Sequence, residues 1–188
     1  DIAVASAIPN MTVLAPCDPN EMKEATKWCA TQSQGPVYMR LGKVGEPDLT
    51  SKALNKFEFG KLRHLKKGKD ICIISYGITV SMAKEISEKL EKKNKSVSLV
   101  NCHTIKPLDI SGITKILGDH EEIIVIEEHV PHGGLGSRVK EIALENKIIG
   151  KVKCFSLKDK FIHFYGNHSQ LLEKHGLSAD KIINNLNY

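Results

Sequence analysis

Residues 71–102, ICIISYGITVSMAKEISEKLEKKNKSVSLVNC, decide the fold of this chain. The apolar run Ile71–Tyr76 predicts a buried strand, and Val97–Cys102 predicts another. Between them, Val80–Lys93 has apolar residues at helical spacing, which predicts an amphipathic helix with one face turned inward. Strands that alternate with helices in this way indicate a three-layer α/β domain.

The alternation continues on both sides of this stretch. Phe57–Leu65 alternates apolar and polar residues, which predicts an edge strand. After residue 102 the pattern predicts, in order, a helix containing Ile113, Ile116 and Leu117, a strand at Glu122–Ile126, a helix at Leu135–Leu144, a strand at Lys151–Phe155, and helices at Ser169–Lys174 and Ala179–Leu186. This second part of the chain has enough elements to fold alone.

The segment before residue 43 predicts only part of another domain. Strands at Met11–Ala15 and Val37–Leu41 flank a helix that begins at Asp18, with Pro19 at its first position and Glu21 closing a capping box. Because a parallel sheet needs helices on both faces, one βαβ unit cannot bury its own core. We therefore expect residues 1–42 to be the end of a domain, 43–55 to be a linker and 56–188 to be a separate domain.

The helix after Asp18 has an apolar face that we expect to point inward. Its members are Met22, Ala25 and Cys29.

Composition excludes several classes of protein. The chain has 188 residues, a formal net charge of +5 and 41% hydrophobic residues, which is too apolar for a disordered chain. Lysines alternate with glutamates along the predicted helices, as on solvated faces, so we expect no nucleic-acid partner. No apolar run reaches the roughly 18 residues of a membrane helix, so we expect no membrane partner. The five cysteines form no CxxC pair, which favours a reduced, cytoplasmic protein.

A glycine-rich turn, HVPHGGLGS at 129–137, follows a predicted strand and opens a helix. Free N–H groups at a helix start can bind an anion. The alternative, which we favour, is a tight structural turn at a subunit interface. The candidate residues for either role are His129, His132, Gly133, Gly134, Gly136 and Ser137. Two histidines in a loop without a matching acid or thiol cluster do not indicate a metal site.

Arg40 ends an apolar strand, where a guanidinium needs an anionic partner. That partner is either a protein carboxylate or a substrate phosphate, and chemistry alone does not separate the two. His103 and Lys106 follow another strand at the edge of the sheet where α/β proteins bind ligands, but the sequence does not raise them above ordinary loop residues.

Five stretches together resemble the transketolase family of thiamine-diphosphate enzymes, and they occur along the whole chain in the family's order. They are AIPNMTVLAPCDPNE (7–21), GPVYMRLG (35–42), VNCHTIKPLD (100–109), VIEEHVPHGGLGS (125–137) and KHGLSADKIINNL (174–186). The likeness is greatest to the C-terminal subunits of split transketolases. Deoxyxylulose phosphate synthases and the beta subunits of 2-oxoacid dehydrogenases are alternatives, and a free-standing binding or regulatory module is another.

The resemblance implies a transketolase C-terminal domain with a five-stranded mixed sheet whose first strand is antiparallel, preceded by the end of a pyrimidine-binding domain. It implies an enzyme that carries a two-carbon ketol unit between sugar phosphates with thiamine diphosphate and Mg²⁺. It also implies a homodimer formed through the C-terminal domain, with the glycine-rich turn at that contact, and Arg40 as the residue that binds the substrate's terminal phosphate.

Two parts of the family's machinery are missing from this sequence. The metal and diphosphate motif, GDG followed by an Asn, does not occur, because Gly118-Asp119 is followed by His120. The catalytic glutamate would lie before Asp1. We therefore expect no catalytic residue, no bound cofactor and no turnover in this chain alone, and we expect it to need an N-terminal diphosphate-binding domain or subunit.

Overall fold

A computed structural model of the chain describes residues 1–43, 45–148 and 150–186. Its elements are, in order, α1 (Ile2–Ala7), β1 (Thr12–Leu14), α2 (Pro19–Thr31), β2 (Val37–Met39), β3 (Arg63–Lys66), β4 (Ile71–Ser75), α3 (Thr79–Glu91), β5 (Val97–Asn101), β6 (Thr104–Lys106), α4 (Ile110–Asp119), β7 (Glu122–Ile126), α5 (Leu135–Glu145), β8 (Val152–Phe155), α6 (His168–His175) and α7 (Ala179–Leu186). The predicted linker and the predicted second domain include Val44, Ile149, Asn187 and Tyr188, which lie outside the described residues.

The larger sheet has five strands in the order β3-β5-β4-β7-β8. Strand β3 is antiparallel to β5, and the other neighbouring pairs are parallel. The predicted five-stranded mixed sheet with an antiparallel first strand is therefore confirmed.

The edge strand is shorter than predicted, because β3 begins at Arg63 rather than Phe57. The aromatic side chains before it serve other contacts. Phe57 stacks on His103 with ring centroids 4.4 Å apart, and Phe59 stacks on Trp28 at 3.7 Å.

Alternate residues of the central strands fill two cores, one on each face of the sheet. On one face, Ile73 and Ile124 pack with α3 and α7. On the other face, Ile74 and Val125 pack with α4, α5 and α1. The three-layer arrangement follows from these two apolar faces, since each face of a parallel sheet needs a covering layer. Among the helices of the described residues, none is both long and apolar enough to cross a membrane.

A second, smaller sheet joins the front of the chain to the rest. Its order is β2-β1-β6, with β1 parallel to β2 and antiparallel to β6. The backbone contact continues past the strands, because the Ala15 N–H donates to the His103 carbonyl at 2.8 Å. The front βαβ unit thus covers its exposed edge with a strand from the second half of the chain.

Buried polar contacts fix helix α2 against the larger sheet. The Glu21 carboxylate accepts hydrogen bonds from the Cys17 N–H at 2.9 Å and the Asn101 side-chain amide at 2.6 Å, and it lies 3.4 Å from Arg63 Nη1. Arg63 also pairs with Glu24 at 2.5 Å. Glu21 is fully buried, and burial raises its pKa while these donors oppose the rise.

Two details of α2 differ from the sequence prediction. Asp18 does cap the helix, accepting the Glu21 N–H at 2.8 Å. The Glu21 side chain, however, accepts the Cys17 N–H instead of the Asp18 N–H that a capping box requires. Met22 is exposed rather than inward, because the buried face of the helix carries Glu21 and Ala25. The face of the helix that carries Glu21 therefore points towards Arg63 and Asn101.

His103 lies in the same junction, almost fully buried. Its Nδ1 is 2.9 Å from the Thr104 hydroxyl, and its ring stacks on Phe57. Burial, with a smaller contribution from the charge of Arg63, lowers the pKa of His103 to about 3. The folded chain therefore holds this ring uncharged at neutral pH.

Replacing Glu21 by Ala is expected to destabilise the chain by about 3 kcal/mol, because the buried Asn101 amide and Cys17 N–H would lose this acceptor and Arg63 would keep only one of its two carboxylates, that of Glu24. Urea unfolding monitored by circular dichroism would show a lower midpoint. Glu88→Ala is the matched control, since Glu88 is an exposed glutamate in α3. Equal midpoints for the two variants would contradict the role given to Glu21.

His103 should make the chain sensitive to mild acid. In the unfolded chain His103 becomes protonated below the ordinary histidine pKa of 6.5. In the folded chain it stays neutral until the pH falls to about 3. Stability therefore falls as pH falls through this window, by about 1.4 kcal/mol per pH unit. Between pH 7 and pH 5, His103→Gln should lose about 2 kcal/mol less stability than the parent in urea unfolding.

The control for this experiment is His132→Gln, which changes an exposed histidine. A His103→Gln variant whose loss of stability between pH 7 and pH 5 equals that of the parent would show that His103 does not contribute.

Candidate functional site

Arg40 lies directly after β2, where its backbone N–H donates to the Leu14 carbonyl at 2.8 Å and continues the pairing with β1. Its guanidinium reaches across to the end of β7. Nη1 donates to the Glu128 carbonyl at 3.1 Å, and Nη2 donates to Glu128 Oε2 at 3.1 Å. On its other side, Nε is 3.1 Å from Asp1 Oδ2. A quarter of the Arg40 side chain is exposed.

Tyr38 and His168 contact the two carboxylates. Together with Asp1, Arg40 and Glu128 they form what we call the Arg40 cluster. The Tyr38 hydroxyl donates to Asp1 Oδ2 at 2.8 Å. His168 Nε2 is 2.8 Å from Glu128 Oε1. The cluster sets one guanidinium between two carboxylates, and its members come from both halves of the chain.

Arg40 thus has the protein carboxylates that the sequence offered as one alternative. Its binding of a substrate phosphate stays a prediction, on which the function proposed below depends. A small cavity of about 40 Å³ lies beside the guanidinium, lined by Arg40, Glu128, Gly77 and Ile78 among others.

The side chain of Glu127, the residue before Glu128, lies in the glycine-rich turn. The Glu127 carboxylate accepts the N–H groups of Leu135 at 2.8 Å and Gly136 at 2.9 Å, at the start of α5. The Tyr76 hydroxyl lies 3.4 Å from it. Burial raises the pKa of Glu127, and the two N–H donors oppose the rise. The helix start therefore holds an anion, and that anion is a side chain of the same protein.

The carboxylate approaches the backbone closely at two glycines of this turn. A Cβ atom on Gly134 would lie 2.3 Å from Glu127 Oε2, and one on Gly136 would lie 2.9 Å from Oε1. Gly133 has a φ of +74°, and a Cβ there would meet the Ala3 side chain at 2.7 Å. The glycines of this turn thus serve close contacts within the chain.

The other predicted residues of the turn have local partners. The buried His129 places Nδ1 2.7 Å from the Val130 carbonyl and accepts the Ala3 N–H at Nε2, 3.3 Å away. Ser137 donates to the Pro131 carbonyl at 2.6 Å and accepts the Gly133 N–H at 3.2 Å. His132 is exposed. An anion-binding or interface role for the turn stays a prediction.

The two remaining strand-end residues have structural contacts. His103 is buried in the junction described above, and Lys106 donates to the carbonyls of Ser6 at 2.8 Å and Ile8 at 2.6 Å, at the end of α1. Within the described residues, no group of three or more His, Cys, Asp or Glu side chains is arranged to hold a metal ion.

The sequence analysis placed Arg40 at a strand end but predicted none of the other members of its cluster, Glu128 included. The available signal was the pair Glu127-Glu128 directly after an apolar strand. In the structure the two carboxylates have different partners, since Glu127 enters the turn and Glu128 contacts Arg40.

Comparisons with known proteins agree with this architecture. The family "Transketolase, C-terminal domain" matches residues 60–182. Among curated relatives, the 1-deoxy-D-xylulose-5-phosphate synthase of Dehalococcoides mccartyi is 36% identical over 97% of this chain, and that of Clostridium perfringens is 33% identical over 99%. The chain spans only 28% and 30% of those proteins' lengths.

Solved structures give the same result. A split gene transketolase, described as an inactive β4 tetramer, is 32% identical with a TM-score of 0.87, over 97% of this chain and 59% of that one. Transketolase from Campylobacter jejuni is 17% identical with a TM-score of 0.62, over 98% of this chain and 27% of that one, and shows the fold alone. The family match covers more than half of the sequence, and the chain therefore belongs to the transketolase C-terminal domain family.

Proposed function

We propose that this chain is the C-terminal part of a transketolase-type enzyme that transfers a two-carbon unit to an aldose phosphate, and that Arg40 binds the terminal phosphate of the sugar. The observation that carries the proposal is the position of Arg40. It is a partly exposed guanidinium at a strand end, held from both sides so that its planar fork has a defined direction. A planar fork of this kind suits the bidentate binding of phosphate.

The cofactor belongs to another part of the enzyme in this proposal. The sequence lacks the GDG motif that would bind the diphosphate, and no group of side chains among the described residues is arranged to hold Mg²⁺. When bound in the complete enzyme, thiamine diphosphate supplies the carbon nucleophile of the transfer. Residues of this chain would bind and orient the phosphorylated end of the sugar.

Assembly is the second role that we propose. The relative described as a split gene transketolase in an inactive β4 tetramer supports a chain of this type that associates with itself and needs another subunit for activity. The partners would be an N-terminal diphosphate-binding domain or subunit and a second copy of the C-terminal domain, with the turn at 129–137 at that contact. The free thiols suit a cytoplasmic location.

The domain boundaries belong to the same proposal. Residues 1–42 would be the end of a pyrimidine-binding domain, 43–55 the linker and 56–188 the C-terminal domain. The antiparallel pairing of β1 with β6 would then join the two domains through one sheet.

A deoxyxylulose phosphate synthase is the second candidate, favoured by the 36% identity over 97% of the chain. The two reactions differ in the unit that is transferred. A 1-deoxy sugar has a methyl group where a ketol product has a hydroxymethyl group, so its two-carbon unit is acetyl rather than ketol. Both products carry a terminal phosphate, and the role given to Arg40 is the same in each.

Arg40→Met in the complete enzyme should lower kcat/KM for a phosphorylated aldehyde acceptor about 100-fold, because a charge-assisted, bidentate contact contributes about 2–3 kcal/mol. The unphosphorylated acceptor should lose much less, about threefold. Steady-state kinetics with both acceptors measures the difference. Arg138→Met is the matched control, since Arg138 is an exposed arginine paired with Glu141 on α5. Equal losses for both acceptors would contradict phosphate binding.

Activity is expected to require the proposed N-terminal diphosphate-binding domain or subunit. The chain alone should show no saturable, metal-dependent binding of thiamine diphosphate by calorimetry, whereas the chain combined with its diphosphate-binding portion should bind it and turn over. Product analysis by NMR then separates the candidates. A C1 hydroxymethyl product from a ketose donor indicates ketol transfer, and a C1 methyl product from a 2-oxo acid donor indicates the synthase. Saturable cofactor binding by the chain alone would contradict the proposed division of the site.

A further inference from the structure

We propose that Glu128 sets the phosphate affinity of this enzyme: its carboxylate occupies the Arg40 guanidinium when no substrate is bound, and the terminal phosphate of the substrate displaces it. This inference rests on the proposed function, because it takes Arg40 as the phosphate-binding residue. Glu128 is then a specificity-determining residue that acts by competition.

The space beside Arg40 supports displacement. The cavity there is small, about 40 Å³, and both Arg40 and Glu128 line it. Each nitrogen of the guanidinium already has a partner, since Nη1 and Nη2 donate to Glu128 and Nε contacts Asp1, so bidentate binding of a phosphate requires one of these contacts to break. One of the groups that now contact Arg40 has to leave.

The charges lead to the same conclusion. Arg40 carries one positive charge and already contacts the carboxylates of Asp1 and Glu128. A phosphate monoester carries a charge of about −1.5 to −2 at neutral pH. Bound next to both carboxylates, it would face two like charges with only one guanidinium to compensate them. The departure of one carboxylate removes half of that repulsion.

The Asp1 carboxylate has more hydrogen-bond partners than the Glu128 carboxylate, although its side chain is the more exposed of the two, at 41% against 16%. Its Oδ1 accepts the Ile2 N–H at 2.7 Å at the start of α1, and its Oδ2 accepts the Tyr38 hydroxyl. Within residues 1–43, 45–148 and 150–186, the Glu128 carboxylate contacts Arg40 and His168, whose side chain is half exposed. Glu128 also has a longer side chain to rotate, so it is the carboxylate that can move away.

The backbone at Glu128 stays in place when the side chain leaves. The preceding residue, Glu127, is fixed by two N–H groups of α5. The Glu128 carbonyl therefore continues to accept the Arg40 Nη1 donor. One residue thus performs two separate tasks, since its carbonyl orients the guanidinium while its carboxylate competes for it. A neutral side chain at this position should remove the competition and keep the orientation.

The test uses the complete enzyme and inorganic phosphate as the probe, measured as a competitive inhibitor against the phosphorylated acceptor. Glu128→Gln and Glu128→Ala should each lower the inhibition constant of phosphate about tenfold, because each removes the competing charge. Glu141→Gln, which breaks a glutamate–arginine pair on α5, should leave the constant unchanged. An unchanged or higher constant in both Glu128 variants would overturn the inference.

The Arg40→Met background separates this result from a failure of the proposed function. If Arg40 binds phosphate, Arg40→Met raises the inhibition constant, and adding Glu128→Gln to it then has no effect. A constant that does not respond to Arg40→Met would reject the proposed function itself. A constant that rises with Arg40→Met but does not fall with either Glu128 variant would reject only the competition.

Discussion

The pairing of β1 on both of its edges is the constraint on which the candidate site depends. On one side β1 carries β2 and hence Arg40, and on the other it pairs with β6, which directly follows β5 of the larger sheet. The buried contacts of Glu21 with Asn101 and Arg63 fix the same junction from the helix side. Arg40 and Glu128 are 88 residues apart in the sequence, and this pairing brings them within hydrogen-bond distance.

Two neighbouring glutamates at the end of β7, Glu127 and Glu128, have different electrostatic roles. Glu127 satisfies the first N–H groups of α5, which would otherwise lack partners, and it does so with a charge that the start of a helix favours. Glu128 faces the opposite way and neutralises Arg40. A firmly held carboxylate and a lightly held one thus follow each other in the chain, and the first gives the second a fixed backbone.

Local patterns predicted most of the regular elements of the second half but missed β6 (Thr104–Lys106), whose partner β1 lies in the first half of the chain. Strand β7 and helix α7 have the predicted bounds, because their apolar periodicity is unambiguous. Phe57 was wrongly assigned to a strand, since the alternation of its segment reflects packing on Trp28 and His103 rather than a pleat. The partner of Arg40 was open in the sequence for the same reason. A guanidinium at a strand end requires an anion, but which anion depends on a residue in another part of the chain.

The contact between Glu127 and the glycines of its turn also limits how this segment can evolve. A methyl group at position 134 would lie 2.3 Å from the Glu127 carboxylate, so an alanine there requires the carboxylate to move from its place on the N–H groups of Leu135 and Gly136. A small neutral residue at position 127 would in turn leave the N–H groups of Leu135 and Gly136 without an acceptor and open to an external anion. Substitutions at 127 and 134 are therefore coupled, and homologues should change the two positions together. The order in which a lineage makes these changes decides whether it passes through a strained turn or through one that binds anions.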